Sequence, residues 1–368
     1  MRYQRMIMEV ESPEQIGYDL VRVNLAESSM RDRTLAALGM NPEDLSGLLL
    51  QYADHRGSEP ARAAIAADGE GIAPDDVLLT VGAAGALFLA ATALLERGDR
   101  LIVAAPNYAS NLETPRAIGA EIVPLDLRFD EGWRVDPDRL GGLLSDGAKM
   151  VSLTTPHNPT GAELPFEDLR TIVAMTERAG AWLLVDETYR ELASEPGPLA
   201  ASLGERVISV SSLSKTYGIP GIRVGWAVCR DRGLMTTLLA AQEQAALSHS
   251  VLDMAVAEWV LARRDWFLPE IREQVARRRG MVRDWIALDG RFAWVEPSGG
   301  VVCFPRIADS SVDARGYFGR LQAGGVFVGP GWWFEQPEHH FRLGYGYPTD
   351  AELADGLAAL SSTLDDIS

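Results

Sequence analysis

One lysine stands in the run Val207-Ile-Ser-Val-Ser-Ser-Leu-Ser-Lys-Thr-Tyr-Gly-Ile-Pro-Gly-Ile-Arg-Val-Gly225, where a β-branched stretch gives way to serines and then to a loop broken by Gly and Pro. Lys215 can form a Schiff base there with an aldehyde. Ser212, three residues before it, and Arg223, eight after it, can hold a phosphate on the same molecule. An aldehyde cofactor that carries a phosphate would use all three. The plain alternative is a surface loop with a solvated lysine, and a Ser-x-x-Lys match alone does not separate the two.

Further chemistry-bearing residues sit at loops or predicted strand ends. Gly82-Ala-Ala-Gly-Ala86 follows a strand and opens a helix, so the amides of Ala83 and Ala84 can approach a phosphate at the helix's positive end. Close strand–helix packing would explain the small residues equally well. Tyr108, in Pro106-Asn-Tyr-Ala-Ser110, is a flat aromatic able to stack on a ring, or an ordinary half-buried loop tyrosine. In Thr154-Thr-Pro-His-Asn-Pro-Thr-Gly161, Asn158 precedes a proline that favours extended backbone, and its amide can donate to a ligand oxygen. Asp186 closes a strand in Ala181-Trp-Leu-Leu-Val-Asp-Glu-Thr-Tyr189, as a site acid or as a helix N-cap. Arg342, in Phe341-Arg-Leu-Gly-Tyr-Gly346, is an arginine within an apolar strand. It needs an anionic partner, a ligand carboxylate or a structural acid, and its planar fork suits either.

These residues need a scaffold of strand ends. Strands are predicted at 76–80, 100–104, 121–125, 149–153, 181–185, 206–210 and 224–229, with helices at 85–95, 110–118, 137–144 and 166–178. Such alternation implies a mostly parallel sheet covered on both faces, and ligands of such sheets sit outside the carboxyl ends of the strands. After residue 230 the pattern changes. Long helices are predicted at 233–247 and 251–288, then short strands at 292–295, 301–304, 325–328 and 341–344, and helices at 312–322 and 349–364. We expect a large α/β domain over 46–265 and a smaller α+β domain built from 1–45 with 266–368.

The segment around Lys215, with its partners in this order, resembles the cofactor-lysine region of fold-type I pyridoxal 5′-phosphate (PLP) enzymes, in particular the aspartate-aminotransferase-like class I/II group. The resemblance runs from Tyr52 to Arg342. It implies PLP on Lys215, with its phosphate held by the amides of Ala83 and Ala84 and by Ser212 and Arg223. It also implies Tyr108 stacked on the pyridine ring, Asp186 on the ring nitrogen, Asn158 and Tyr189 on the phenolic oxygen, and Arg342 on the substrate's α-carboxylate. Tyr52-Ala-Asp-His-Arg-Gly-Ser-Glu-Pro-Ala-Arg62 is similar to the family's Tyr-x(4)-Gly-x(4)-Arg element. There the tyrosine reaches the neighbouring subunit's phosphate, so Tyr52 implies a homodimer with shared sites. Two positions depart from the family. Ala84 stands where a hydroxyl or lysine is frequent, and Val23-Asn-Leu-Ala-Glu-Ser-Ser-Met30 lacks the Gly-Glu-Pro pattern that covers the substrate in many aminotransferases.

Composition narrows the partners. The chain has 368 residues, 47% hydrophobic and 23% charged, which is ordinary globular composition. A net charge of −18 argues against nucleic acid. The N-terminus reads as no signal peptide, and the apolar stretch 83–95 is too short to span a bilayer. Cys229 and Cys303 lie in apolar runs, as buried free thiols of a cytoplasmic protein would. The five histidines have no metal-ligand spacing, so no metal site is expected. The implied activity is transamination of an α-amino acid. Lys215 removes the α-proton, a quinonoid forms, and a keto acid accepts the amino group. The same residues also serve β-elimination, decarboxylation-coupled deamination and oxygen-dependent oxidation, and fold alone does not choose among them. A non-catalytic PLP-fold binding protein is the rival of a different class, and intact Lys215, Asp186, Asn158 and Arg342 argue against it. Trp332, Trp333 and Phe334 are expected either to wall a bulky side-chain pocket or to fill the core of the smaller domain.

Overall fold

The computed structural model describes residues 1–366. Two single-turn helices, α1 (Ile7–Val10) and α2 (Pro13–Ile16), precede a short strand β1 (Val23–Asn24) and helix α3 (Glu59–Ala66). Then strands and helices alternate: β2 (Val77–Val81), α4 (Gly82–Leu94), β3 (Arg100–Ala105), α5 (Ser110–Ile118), β4 (Glu121–Asp126), α6 (Pro137–Ser145), β5 (Met150–Thr154), α7 (Phe166–Ala179), β6 (Trp182–Asp186), β7 (Val207–Ser212) and β8 (Val224–Val228).

Strands β2 to β8 form one seven-stranded sheet in the order β2-β8-β7-β6-β5-β3-β4. Only β8 runs against its neighbours; the other pairs are parallel. The inner strands are rich in Val, Ile and Leu and buried on both faces, as parallel strands covered by helices must be, whereas the edge strand β4 buries Leu125 and leaves Glu121, Pro124 and Asp126 exposed. Leu87, Leu112 and Leu238 belong to the apolar layer on one face, and Leu140, Ile172 and Val173 to the layer on the other. Each such side chain, fully buried, contributes about 1.5–3 kcal/mol. In α7 the buried residues Leu169, Ile172, Val173 and Thr176 lie on one side, the face that its helical spacing predicts.

Helices α8 (Arg232–Ala245), α9 (Val251–Leu261) and α10 (Arg264–Asp289) lead to β9 (Phe292–Ala293), β10 (Val302–Cys303), β11 (Arg306–Ile307), α11 (Ala314–Ala323), β12 (Val326–Phe327), β13 (Gly329–Pro330), β14 (Phe341–Gly344) and α12 (Asp350–Asp365). The N-terminal β1 pairs in parallel with β12, so the start of the chain joins its C-terminal part. The expected single helix over 251–288 is two helices. Ala262 closes α9 on the carbonyls of Glu258 and Val260, and Arg263 leaves helical geometry at φ −128°, ψ 22°. Ala257, Leu261, Leu268, Ile271 and Val275 keep helical spacing straight through the break, so periodicity could not reveal it. The two-residue strands β1, β11 and β13 were likewise too short to leave an alternating pattern.

Candidate active site

The carboxyl ends of the parallel strands meet along one edge of the sheet. Thr154 at the end of β5 is in register with Asp186 at the end of β6. Ser212 ends β7, and Lys215 lies in the turn after it. Strand β8 runs the other way, so Arg223, just before its first residue, is at this edge too. So is the start of α4, where the Gly82 N–H donates to the Arg223 carbonyl. A Cβ on Gly225 would collide with the backbone of Gly82 and Ala83, so the glycine lets the helix N-terminus close on β8.

A cavity open to solvent occupies this edge. Ala83, Ala84, Ser212, Ser214 and Arg223 line one end of it. Asp186, Asn158, Tyr108, Tyr189 and Lys215 line the remainder, with Thr154 and Thr188. A second open cavity of about 590 Å³ adjoins it, bounded by Glu9, Glu14, Glu27, Trp333 and Arg342. Tyr108 and Lys215 line both, so the two are inner and outer lobes of one site. Every residue given a cofactor or substrate role from the sequence is in one lobe or the other except Tyr52. Tyr52 is 78% exposed and lines neither lobe.

The inner lobe is polar where a phosphate would go and acidic where a ring nitrogen would go. The Arg223 guanidinium lies against Gly82 at the start of α4, where a Cβ would meet it, and among the described residues it bonds only to the Pro220 carbonyl, at 2.9 Å. Asp186 is 6% exposed. It is not a helix cap: its Oδ1 accepts from the Thr188 N–H at 3.1 Å and the Thr188 hydroxyl at 2.5 Å. Burial raises its pKa, against the Thr188 bonds and the Lys215 charge that pull it down. Tyr189 donates its hydroxyl to the Ser28 carbonyl at 2.6 Å, which ties the floor of the lobe to the N-terminal segment.

The outer lobe contains what sequence reasoning missed. Segment 26–33 is laced to the lysine loop by the Met30 N–H on the Lys215 carbonyl and the Arg33 N–H on the Gly218 carbonyl, both 2.8 Å. This brings the Glu27 carboxylate to 3.4 Å from the Lys215 ammonium. Burial works to lower the Lys215 pKa, but Glu27 and the nearby tyrosines outweigh it and the net shift is upward. Burial would raise the Glu27 pKa, but Lys215, the Ser28 N–H and Arg342 outweigh it and the net shift is downward. No motif marks Glu27; the only signal was the unusual sequence of its segment.

Arg342 is 4% exposed. It donates to the Ala26 carbonyl at 2.6 Å and to Asn158 Oδ1 at 3.1 Å, and its guanidinium lies over the Phe334 ring. Among the described residues it has no ion-pair partner, and its buried Nε has no acceptor. Burial lowers its pKa. The structural-acid alternative for Arg342 is therefore absent. Trp333 is both buried in the core and a wall of the outer lobe, and Trp332 packs half-buried against the core; both indole N–H groups donate to the Glu11 carboxylate, at 2.9 and 2.6 Å. Phe334 is core, packed on Phe304. Among the described residues no group of three His, Cys, Asp or Glu side chains is gathered for a metal.

A lysine amine, a helix N-terminus beside an arginine and two serines, a buried acid and a flat aromatic form a donor set that fits PLP. Comparison with known proteins agrees. The family profile described as Aminotransferase class I and II matches residues 22–360. Capreomycidine synthase of Streptomyces vinaceus is 32% identical over 94% of this chain and 91% of the synthase. Arginine–pyruvate transaminase AruH of Pseudomonas aeruginosa is 31% identical over 80% of this chain and 77% of its own length. A crystal structure of a PLP-dependent aminotransferase from Streptococcus suis superposes with a TM-score of 0.92 at 29% identity, covering 100% of this chain and 99% of that one. The chain thus belongs to the class I and II aminotransferase family, as a PLP-dependent transferase of fold type I.

Proposed function

We propose that the enzyme carries PLP on Lys215 and transaminates an α-amino acid, passing its amino group through the cofactor to a keto acid. Arg342 carries the amino-acid half of this reading. A buried guanidinium without a counter-ion is costly, and an incoming α-carboxylate meeting its free Nε edge removes that cost.

PLP supplies an electron-withdrawing ring that takes up the electrons left when a proton leaves the substrate α-carbon. In our reading Asp186 holds a proton on the ring nitrogen, and Tyr108 covers one face of the ring. Asn158 and Tyr189 donate to the phenolic oxygen, Tyr189 by turning its hydroxyl from the Ser28 carbonyl. The amides of Ala83 and Ala84, with Ser212 and Arg223, hold the phosphate. Lys215 would be the attachment point, and its freed amine would be placed to take up the substrate α-proton as general base and return it as acid. Arg342 and Asn158 fix the carboxylate so that the α-hydrogen faces that amine.

A second reading, loss of a β-substituent, draws on one observation. Glu27 places a second proton-accepting carboxylate 3.4 Å from Lys215, able to take a proton from the lysine ammonium and relay it to a departing group. Among the relatives, capreomycidine synthase is named for a synthase activity. The two readings part in one experiment. Amino acid alone converts PLP to pyridoxamine phosphate if transamination is correct, and a keto acid restores it. Sustained turnover without any keto acid overturns transamination in favour of elimination, and oxygen uptake marks an oxidase.

For assembly we propose a homodimer, with the exposed Tyr52 reaching the phosphate site of a second copy. We assign 46–265 to the large domain and 1–45 with 266–368 to the small one. Buried, free Cys229 and Cys303 suit a cytoplasmic enzyme.

A further inference from the structure

We propose that the outer lobe is built for a positively charged side chain: the substrate is an α-amino acid ending in a guanidinium or ammonium group, met by Glu9 and Glu14 while Arg342 holds its α-carboxylate. This rests on the amino-acid reading above and names the class of amino acid.

The charges of the lobe carry the inference. Three carboxylates line it, those of Glu9, Glu14 and Glu27, and its only cations are Lys215 and Arg342. The substrate carboxylate takes Arg342, and Lys215 is already paired with Glu27. Glu9 and Glu14 then face the remaining volume with no other cation among the lining residues. A carboxylate side chain would be repelled there, and a neutral one would leave the acids unmatched. A guanidinium or ammonium offsets them, and a guanidinium, with five donors in a fork, can meet acceptors on more than one element.

Two further observations make this a built site rather than a cluster of acids. The buried, unpartnered Nε of Arg342 belongs to a side chain lining the same lobe, and it fixes where the other end of the ligand binds. The carboxylates are also held in place yet left free to bind. Glu9 on α1 and Glu14 on α2 flank Glu11, which is anchored by both indole N–H groups of Trp332 and Trp333. Glu9 receives one long bond, from the Tyr108 hydroxyl at 3.4 Å, and Glu14 has no side-chain hydrogen bond or ion pair among the described residues. Trp333 adds an apolar wall for the methylene stem that carries such a cation. The negative field extends past the lobe: burial and then Glu27 raise the Asp32 pKa, and burial followed by Glu14 and Glu27 raises that of Tyr18.

The test is rapid-mixing titration of the full-length, PLP-loaded protein, with the first absorbance phase, before conversion to pyridoxamine phosphate, read against ligand concentration. The ligands are L-arginine and L-lysine, their neutral counterparts L-citrulline and L-norleucine, and L-glutamate. The expected result is that arginine or lysine binds about 10-fold or more tightly than its neutral counterpart, the worth of a charge-assisted contact. E9Q and E14Q then bring that ratio towards one. Both glutamates are on the surface side of the site, and the ratio within each variant cancels any general loss of affinity. The proposal is overturned if citrulline and norleucine bind as well as the charged pair, if glutamate binds best, or if the E9Q/E14Q double variant keeps the wild-type ratio. In those cases the amino-acid reading stands. If no amino acid of any class changes the absorbance, both fall.

Discussion

Replacing Glu27 by glutamine keeps the shape of the side chain and removes the negative charge 3.4 Å from the Lys215 ammonium. The side chains are 30% and 19% exposed, so the medium between them lies between protein interior and water. At this separation a unit charge pair is worth about 5 kcal/mol at an effective dielectric of ~20 and about 1 kcal/mol at ~80. One pKa unit corresponds to about 1.4 kcal/mol. The Lys215 pKa, raised in the cofactor-free protein, should therefore fall by about one unit or more in the Glu27→Gln variant. Only the unprotonated amine attacks an aldehyde. At a pH below the pKa the variant should then take up PLP about 10-fold faster for each unit lost. Stopped-flow absorbance of cofactor uptake by the apo-protein, across the neutral to alkaline range, measures this directly. A rate–pH profile with the wild-type midpoint, or one moved to higher pH, refutes the assigned coupling.

Borohydride reduction of the PLP-loaded protein followed by peptide mapping should find the pyridoxyl label on Lys215; a label on another lysine sinks the cofactor assignment. Asp186→Ala should weaken PLP binding and sharply slow exchange of the substrate α-proton, whereas normal turnover in the folded variant would remove Asp186 from the ring nitrogen. Next to it, burial pushes the Glu187 carboxyl up to about 7 from 4.5. Its contribution to stability is full below the unfolded value and is lost as pH rises through about 7, a change of about 3 kcal/mol. Glu187→Gln should flatten that part of the pH profile in chemical denaturation, and an unchanged slope would contradict it. Sedimentation should find a dimer, and mixing inactive Lys215→Ala with an inactive Tyr52 variant should restore activity through hybrid sites; an active monomer rules the shared site out.

The inner lobe was legible because its residues come from strand ends, where a short-range signal exists. A β-branched run stops, and a Ser, Asp, Asn or Gly-rich turn follows. Lys215, Asp186, Asn158 and Ala83 are each read from their own neighbours in sequence, and the parallel sheet brings them to one edge. The outer lobe was legible at Arg342, an arginine in an apolar strand, but not at its acids. Glu9, Glu14 and Glu27 lie in irregular chain or single-turn helices without periodicity, and contacts between residues far apart in sequence place them. Tying Glu27 to Lys215 takes backbone bonds across nearly two hundred residues, and tying Glu11 to Trp333 takes a side-chain bond across more than three hundred. The helix break at Ala262 and Arg263 was hidden for the opposite reason, since a strong local pattern runs unbroken across it.

Among the described residues, only Tyr108 and Lys215 line both lobes. Divergence within such a site is free to run on one side of that boundary. A strip of chain from residue 8 to 14, with Glu27, can be exchanged or randomised to change which side chain is accepted, while the groups proposed to grip the cofactor stay as they are. A library confined to those positions should therefore yield many variants that still take up PLP and differ in what they bind. The same number of changes spread through the inner lobe should mostly yield apo-protein.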